Sequence, residues 1–247
     1  GEQIKVTPIE RKFNSDGQVE HKGCMTVTTY FSAMNVNKTW VNEAQRLGYL
    51  LAANGFNLKV GGGNDGLMKA VSDGFQKAKK ELLRSGHNFP NQLILIQCVD
   101  TESIECAYDG GGISRCHPTI EAREADLQIT DMEIAGAGGA GTDEEIFGSL
   151  YSREIGLIDS KKVPFILFNQ QMDTVHGRMG VHDVYPNMFD GQFLERVNAQ
   201  MVLTPEEILA RAVEHRAKMR AEESVLAKMA DIPTSVGKQD VRQLVFS

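Results

Sequence analysis

The stretch MEIAGAGGAGTDEEIF, residues 132–147, joins a short apolar run to a glycine-rich loop and an acidic segment. The apolar run 132–136 predicts a strand, and residues 143–158 predict a helix. Between them, glycines leave out side chains, so backbone N–H groups can approach a ligand closely. Strand, tight loop and helix in this order are the repeating unit of a parallel α/β sheet.

The same alternation extends along the chain in both directions. Further strands are predicted at 25–31, 56–60, 92–99, 163–169 and 199–203. Further helices are predicted at 38–55, 118–130 and 205–229, and around the apolar residues that recur from 68 to 82. Continuous apolar runs in the central strands predict a parallel sheet with helices on both faces. In such a sheet, ligands bind outside the carboxyl ends of the strands.

Composition narrows the classes of function. The chain has 247 residues, 41% of them hydrophobic, and a formal net charge of −7. This suits a globular domain and disfavours nucleic acid as a partner. We expect no membrane span, since no run of 18 apolar residues occurs, and no signal peptide, since residues 1–17 lack an apolar core. Four cysteines do not suggest a disulfide framework, so we expect a cytoplasmic protein.

Two glycine-rich loops follow predicted strands and open predicted helices. Both have the spacing G-x-G-x-x-G, formed by Gly61, Gly63 and Gly66 and by Gly136, Gly138 and Gly141. A helix N-terminus carries about half a positive charge, so the pair of loops favours a phosphate-bearing ligand over simple tight turns. A dinucleotide is disfavoured because a glycine stands about 20 positions after the first loop, where an acidic residue is expected. Neither loop continues into the G-K-[ST] of a Walker motif.

Helix capping, zinc binding and serine hydrolysis are alternative roles for residues in and beyond these loops. Thr142 and Glu145 have the spacing of a capping box, which would make the second loop a plain helix start. Zinc is disfavoured because no C-x-x-C occurs among Cys98, Cys106, Cys116 and the adjacent His117. The pair His176 and His182 is more typical of a solvated loop, and no G-x-S-x-G predicts a serine hydrolase.

Four segments resemble the LONELY GUY (LOG) family in order and spacing. VGGGNDGLMKAV (60–71) resembles its GGGxxGLM segment, and AGGAGTDEEIF (137–147) resembles its PGGxGTxxE motif. EAREADLQITDMEIA (121–135) is similar to the helix that carries the family's essential arginine. FDGQFL…MVLTPEEIL (189–209) is similar to the closing strand and helix. The resemblance covers residues 25–215 and implies a Rossmann-like α/β fold and a homodimer.

The resemblance also implies an activity: hydrolysis of the N-glycosidic bond of a nucleoside 5′-monophosphate, without a cofactor or metal. It places Arg123 and Glu145 as catalytic residues. It implies phosphate or nucleotide contacts from glycines and hydroxyl residues, namely Gly62, Gly63, Gly138, Gly139, Gly141, Thr142 and Ser32. The family is also called "possible lysine decarboxylase", but no lysine motif for pyridoxal phosphate stands out. The alternative is a nucleotide-binding or sensing module that does not cleave its ligand.

The chain departs from the family pattern around these motifs. Ala137 replaces the motif proline, Ala140 replaces a bulky residue, Glu124 replaces a lysine, and Ile120-Glu121 replaces a Met-His pair. Extra acid beside Arg123 is expected to weaken its hold on a phosphate. The loop 106–118 is unusual for the short members. We divide the chain into an N-terminal arm or edge element (1–24), the LOG-like Rossmann domain (25–215) and a C-terminal helix extension and tail (216–247).

Overall fold

The computed structural model describes residues 12–13, 19–20, 24–33, 37–99, 106–168 and 191–230. Its elements, in chain order, are β1 (Lys12–Phe13), β2 (Val19–Glu20), β3 (Thr26–Tyr30), α1 (Lys38–Ala53), β4 (Asn57–Val60), α2 (Gly66–Arg84), β5 (Leu93–Cys98), β6 (Ile113–His117), α3 (Ile120–Gln128), β7 (Met132–Ala135), α4 (Ala140–Glu154), β8 (Phe165–Phe168), α5 (Gly191–Arg196), β9 (Ala199–Val202) and α6 (Pro205–Ala230). The chain divides into two units, between Leu209 and Ala210. None of the described helices combines the length and apolar character needed to cross a bilayer.

Seven strands form one parallel sheet in the order β6-β5-β4-β3-β7-β8-β9. The chain builds outward from β3 through β4, β5 and β6, and then returns to the other side of β3 with β7. The direction of building therefore reverses between β3 and β7, which lie side by side with Val27 opposite Met132. This order is that of a doubly wound Rossmann-like fold, whose ligand crevice lies at the reversal point. β1 and β2 form a separate antiparallel pair.

The central strands are buried along their whole length, as their apolar runs predicted. Every residue of β3, β4, β7 and β8 is buried. Side chains alternate between the two faces of a strand, so both faces of the sheet are covered. Right-handed crossovers on either side of the reversal point put the covering helices on opposite faces. The predicted fold class is confirmed.

Two glycines allow α1 and α2 to pack with their backbones in contact. A Cβ atom added to Gly48 would lie 1.9 Å from the Val71 carbonyl oxygen, and one added to Gly74 would lie 1.8 Å from that of Gln45. No side chain fits at either position. The close approach fixes α2, and with it the glycine loop from which α2 emerges.

A buried ion pair joins β7 to α4 near the carboxyl ends of the strands, where ligands are expected. The side chains of Glu133 on β7 and Arg153 on α4 are wholly buried and hydrogen-bonded to each other. Tyr30 donates a hydrogen bond of 2.6 Å to the Glu133 carboxylate, and Ser149 donates one of 2.7 Å. Burial, together with the charge of Glu133, raises the pKa of Tyr30 well above its usual value. These bonds fasten α4 to both strands at the reversal point.

A second buried cluster holds the C-terminal end of α3. The Lys59 ammonium, on β4, donates 2.6 Å hydrogen bonds to the carbonyl oxygens of Asp126 and Ile129 and one of 3.1 Å to the Asp126 carboxylate. The same carboxylate is bonded by His117 at 2.9 Å and by Arg115 at 3.3 Å. Burial lowers the pKa of Lys59, although Asp126 opposes the shift. The cluster fixes α3, the helix that carries Arg123.

The structure differs from the sequence-based prediction in three elements. Residues 113–117 form the edge strand β6, although the whole of 106–118 was interpreted as a loop. An edge strand has one neighbour, and residues Ile113 and Ser114 are exposed, so the segment has no apolar run to identify it. Helix α4 begins at Ala140 rather than at 143. The short helix α5 was not predicted, and His176 and His182 lie outside the described residues.

Candidate functional site

The candidate site lies where β3 and β7 end, at the reversal point of the sheet. The N–H of Gly136 donates to the Tyr30 carbonyl at 3.0 Å, and the N–H of Ser32 donates to the Ala137 carbonyl at 3.0 Å. The segments that follow β3 and β7 therefore continue side by side beyond the last paired residues of the two strands. This places Ser32 next to the second glycine loop, as the resemblance implies.

The first glycine loop is closed by contacts within the protein. The Ser32 carbonyl accepts hydrogen bonds from the N–H groups of Leu67, at 2.8 Å, and Met68, at 3.0 Å. Both amides belong to the first turn of α2, where backbone N–H groups have no partner within the helix. Because the Ser32 carbonyl accepts from them, they are not available to a ligand. The N–H of Gly63 points to the Met68 sulfur at 2.9 Å. This loop therefore shapes the site and offers few free donors to a phosphate.

Two glycines of the first loop serve packing. Gly62 has a φ of +85°, and a Cβ atom there would lie 2.8 Å from Cγ of Gln97. A Cβ atom on Gly61 would lie 2.4 Å from a guanidinium nitrogen of Arg123. The loop thus leaves room for the arginine side chain that crosses it.

The second glycine loop has backbone N–H groups that donate to no acceptor among the described residues. Gly139 is the N-cap residue of α4, and its extended backbone makes no side-chain capping bond. The first bond of the helix runs from the N–H of Asp143 to the Gly139 carbonyl at 2.9 Å. Among the described residues, none accepts a hydrogen bond from the N–H groups of Ala140, Gly141 or Thr142. Three amides and the positive end of the helix dipole are therefore available to an anion.

The capping-box interpretation of this loop is wrong. Thr142 is the third residue of α4, and Glu145 lies one turn further along, so neither residue occupies the N-cap. Both side chains are buried inside the protein. The helix begins three residues earlier because the backbone of the glycine run turns before the threonine. Glu145 thus has a position that helix capping does not explain.

Arg123 and Glu145 meet between α3 and α4. Nη1 of Arg123 lies 2.9 Å from Oε1 of Glu145, with 11% and 8% of the side chains exposed. Nε of Arg123 donates to the carbonyl of Ile96, which lies within β5, at 3.2 Å. Two residues that are 22 positions apart in sequence are thereby held in a fixed ion pair at the mouth of the sheet.

The pair borders a pocket of about 250 Å3. The pocket is lined by residues from the end of β3, from α2, α3 and the start of α4: Phe31, Ser32, Ala33, Met68, Ile120, Arg123, Glu124, Gly139, Ala140, Gly141, Thr142, Glu144 and Glu145. Burial and the nearby charge of Glu144 raise the pKa of Glu124, although Arg123 opposes the shift. The pocket combines helix donors, a guanidinium, carboxylates and an apolar wall.

Six of the nine residues named from the sequence line this pocket. They are Ser32, Arg123, Gly139, Gly141, Thr142 and Glu145. Gly62, Gly63 and Gly138 are not in its lining as the described residues form it; Gly138 packs instead against Thr142, where a Cβ atom would lie 2.0 Å from the threonine Cβ. Sequence reasoning missed the apolar wall of Phe31, Met68 and Ile120, because these residues have the same pattern as core residues.

Comparison with known proteins supports the fold. No family model matches the chain, and no curated protein matches its sequence. Among solved structures, TM1055, a structural genomics target, is 18% identical with a TM-score of 0.55, over 77% of this chain and 99% of that one. The molybdenum cofactor carrier protein of Chlamydomonas reinhardtii is 15% identical with a TM-score of 0.53, over 78% and 99%.

A third structure, the molybdenum cofactor binding protein of Rippkaea orientalis, is 20% identical with a TM-score of 0.50, over 76% of this chain and 94% of that one. At such identities the likeness defines the fold alone. The chain is a Rossmann-like α/β protein with a pocket at the reversal point of its sheet. This is the fold that the resemblance to the LOG family implies, and the likeness to these three structures is consistent with it.

Proposed function

We propose that this protein hydrolyses the N-glycosidic bond of a nucleoside 5′-monophosphate, releasing a free base and ribose 5-phosphate. The observation that carries the proposal is the meeting of Arg123 and Glu145 in one pocket beside the free N-terminus of α4. Both residues correspond to the LOG-family arginine and glutamate. Their convergence separates this proposal from a helix that is merely well capped.

The start of α4 is suited to hold the 5′-phosphate. The N–H groups of Ala140, Gly141 and Thr142 supply donors, and the helix dipole favours negative charge. Gly141 has open space where a side chain would lie, so a phosphate oxygen can approach the backbone. The planar guanidinium of Arg123 offers donors for the phosphate or the sugar hydroxyls.

Glu145 is suited to act on the sugar. Glycosidic cleavage passes through a cation-like sugar, which a nearby carboxylate stabilises. The same carboxylate can orient the water that adds to the anomeric carbon as the base leaves. The water supplies the hydroxyl group on ribose and the proton on the released base, so the reaction balances without a cofactor or metal.

A second candidate function is nucleotide binding without cleavage. The observation that favours it is the Arg123–Glu145 ion pair itself, because a glutamate held at 2.9 Å by a guanidinium is a weaker base and nucleophile. In that case the pocket would retain its ligand and release it unchanged. Two of the structures with this fold have names that describe carriage or binding of a cofactor.

A substrate panel tests the proposal. The protein is incubated with AMP, GMP, CMP, UMP and isopentenyladenosine monophosphate, and free base and ribose 5-phosphate are measured. We expect release from at least one nucleotide and a loss of about 10²–10⁴-fold in Glu145→Gln. The matched control is Glu121→Gln, which makes the same change on an exposed residue outside the pocket lining.

The outcomes separate the two candidates. Base release that is lost in Glu145→Gln and kept in Glu121→Gln supports the hydrolase. Nucleotide binding without release, detected as a rise in melting temperature, supports the binding module and overturns the hydrolase. Equal release in both variants would remove Glu145 from the mechanism.

A further inference from the structure

The described lining of the pocket carries more negative than positive charge. Among the described residues, Glu124, Glu144 and Glu145 line it together with one cation, Arg123. The arginine already pairs with Glu145 at 2.9 Å. Within the described part of the chain, no cation forms an ion pair with Glu124 or Glu144. A ligand that enters therefore meets two carboxylates that pair with no cation of the described segments.

The negative charge of Glu124 is destabilised by burial and by the neighbouring carboxylates. Glu124 is half-buried on α3, and it faces Glu144 on α4, with Glu121 and Arg123 as charged neighbours on its own helix. Burial, Glu144 and Glu121 raise its pKa, and Arg123 does not offset them. Glu144 is exposed, so water stabilises its charge better.

A phosphate monoester increases this repulsion. It carries a charge of about −1.5 to −2 at pH 7, because its second pKa is about 6. The donors at the start of α4 draw it to the same pocket that Glu124 lines. Two like charges in a partly water-excluded site repel each other, which raises the pKa of each group and favours the uptake of a proton.

We propose that Glu124 makes phosphate-ester binding proton-linked: the pocket takes up part of a proton with its ligand, shared between the Glu124 carboxylate and the phosphate. The inference rests on the proposed function, since the ligand is its substrate or product. It follows that the protein binds the phosphate ester more tightly as the pH falls from about 8 to about 6. Glu124 is then a residue that determines which charge form of the ligand is bound.

Calorimetry with ribose 5-phosphate tests the proposal without turnover. The full chain is titrated at pH 6, 7 and 8, each in two buffers of different ionisation enthalpy, which gives the number of protons taken up. For the unchanged protein we expect uptake of part of a proton, up to about half for a coupling of one pKa unit, and the uptake is largest at the lower pH values. In Glu124→Gln the uptake falls towards zero, and Kd at pH 8 decreases on the order of tenfold, the effect of one pKa unit of coupling.

Two further variants complete the test. Glu121→Gln removes the same charge from the same helix, on an exposed side chain outside the lining. Glu121 is the smallest of the causes that raise the pKa of Glu124, so this variant keeps most of the proton uptake. Glu124→Lys binds more tightly still at pH 8. If only this variant binds measurably, the inference is overturned, because the unchanged protein then takes up no proton with the ligand and the added lysine attracts a phosphate by itself.

Equal proton uptake in the unchanged protein and Glu124→Gln overturns the inference, as does failure of every variant to bind at any pH. These results are distinct from those of the substrate panel. Proton-linked binding without base release overturns the proposed function and leaves the inference standing. Base release together with proton uptake that Glu124→Gln leaves unchanged overturns the inference and leaves the proposed function standing.

Discussion

Replacement by alanine is predicted to affect stability differently at two glycines of the second loop. Gly138→Ala is expected to lower the melting temperature, whereas Gly141→Ala is expected to keep or raise it. A Cβ atom at Gly138 would lie 2.0 Å from Cβ of Thr142, far below the 3.0 Å that real Cβ atoms keep. Cβ of threonine is one bond from the backbone, so it cannot rotate away. At Gly141, no heavy atom lies within 4 Å of the added Cβ.

The magnitudes follow from these distances. Relief of the overlap in Gly138→Ala must shift the start of α4, at a cost of about 1–3 kcal/mol in the free energy of unfolding. For a chain of this size, that lowers the melting temperature by roughly 2–12 °C. A displacement of about 1 Å in the phosphate donors is expected to reduce activity by about 10²-fold.

Gly141→Ala is expected to separate stability from activity. The methyl group meets no protein atom, and alanine is favoured over glycine in a helix by up to about 1 kcal/mol, so the melting temperature stays the same or rises. The methyl group nevertheless lies in the pocket lining, where it keeps a phosphate oxygen from the backbone. Base release from the active nucleotide is expected to fall.

Thermal melts and the base-release assay on both variants check the reasoning. A Gly138→Ala protein that melts and reacts like the unchanged one would refute the packing argument. A Gly141→Ala protein with unchanged activity would refute the claim that a ligand approaches this backbone.

Further predictions concern the scaffold. Gly74→Ala is expected to lower the free energy of unfolding by about 1–3 kcal/mol, because its Cβ would meet a backbone carbonyl at 1.8 Å. Gly148→Ala, with no contact closer than 3.9 Å, is expected to raise it by about 0.5–1 kcal/mol. Urea unfolding of both variants measures the difference, and equal midpoints would contradict it. Arg153→Met leaves Glu133 buried without its partner and is expected to cost about 3–5 kcal/mol in the same assay; an unchanged midpoint would show that the pair is not needed. Burial alone would raise the pKa of Asp126, but Lys59 and the hydrogen bond from His117 lower it, so its stabilising contribution is present above about pH 4 and is lost as the pH falls further. Acid unfolding of Asp126→Asn should therefore be less steep below pH 4, and an identical slope would contradict this. The homodimer that the resemblance to the LOG family implies would give twice the chain mass in light scattering, and a monomer across micromolar concentrations would contradict it.

The main chain of the fold was predictable because its signals are local. Strands β5 and β8 are apolar runs, and β3, β4 and β7 combine apolar or β-branched residues with polar ones. Each of the five lies within two residues of its predicted bounds. The alternation of strands with helices then requires parallel pairing and crossovers. The edge strand β6 was missed because an edge strand need not be apolar.

The sequence could not distinguish the two glycine loops. Both have the same spacing, both follow a strand and both open a helix. They differ in whether the first amides of the helix are already bonded: the Ser32 carbonyl occupies those of α2, and no described residue occupies those at the start of α4. Ser32 follows β3 and precedes Leu67 by 35 positions, so no local sequence pattern indicates the contact.

The sequence by itself determined the parallel α/β class, most element bounds and the residue types that carry the candidate chemistry, because periodicity and glycine spacing are properties of neighbouring residues. Only the tertiary structure decided that Arg123 and Glu145 form a pair, that the second glycine loop offers donors, and that Glu124 and Glu144 share the pocket. These facts depend on packing α3 against α4 across the reversal point of the sheet. Electrostatic and steric interactions act through space, so they follow from that packing and not from the order of residues along the chain.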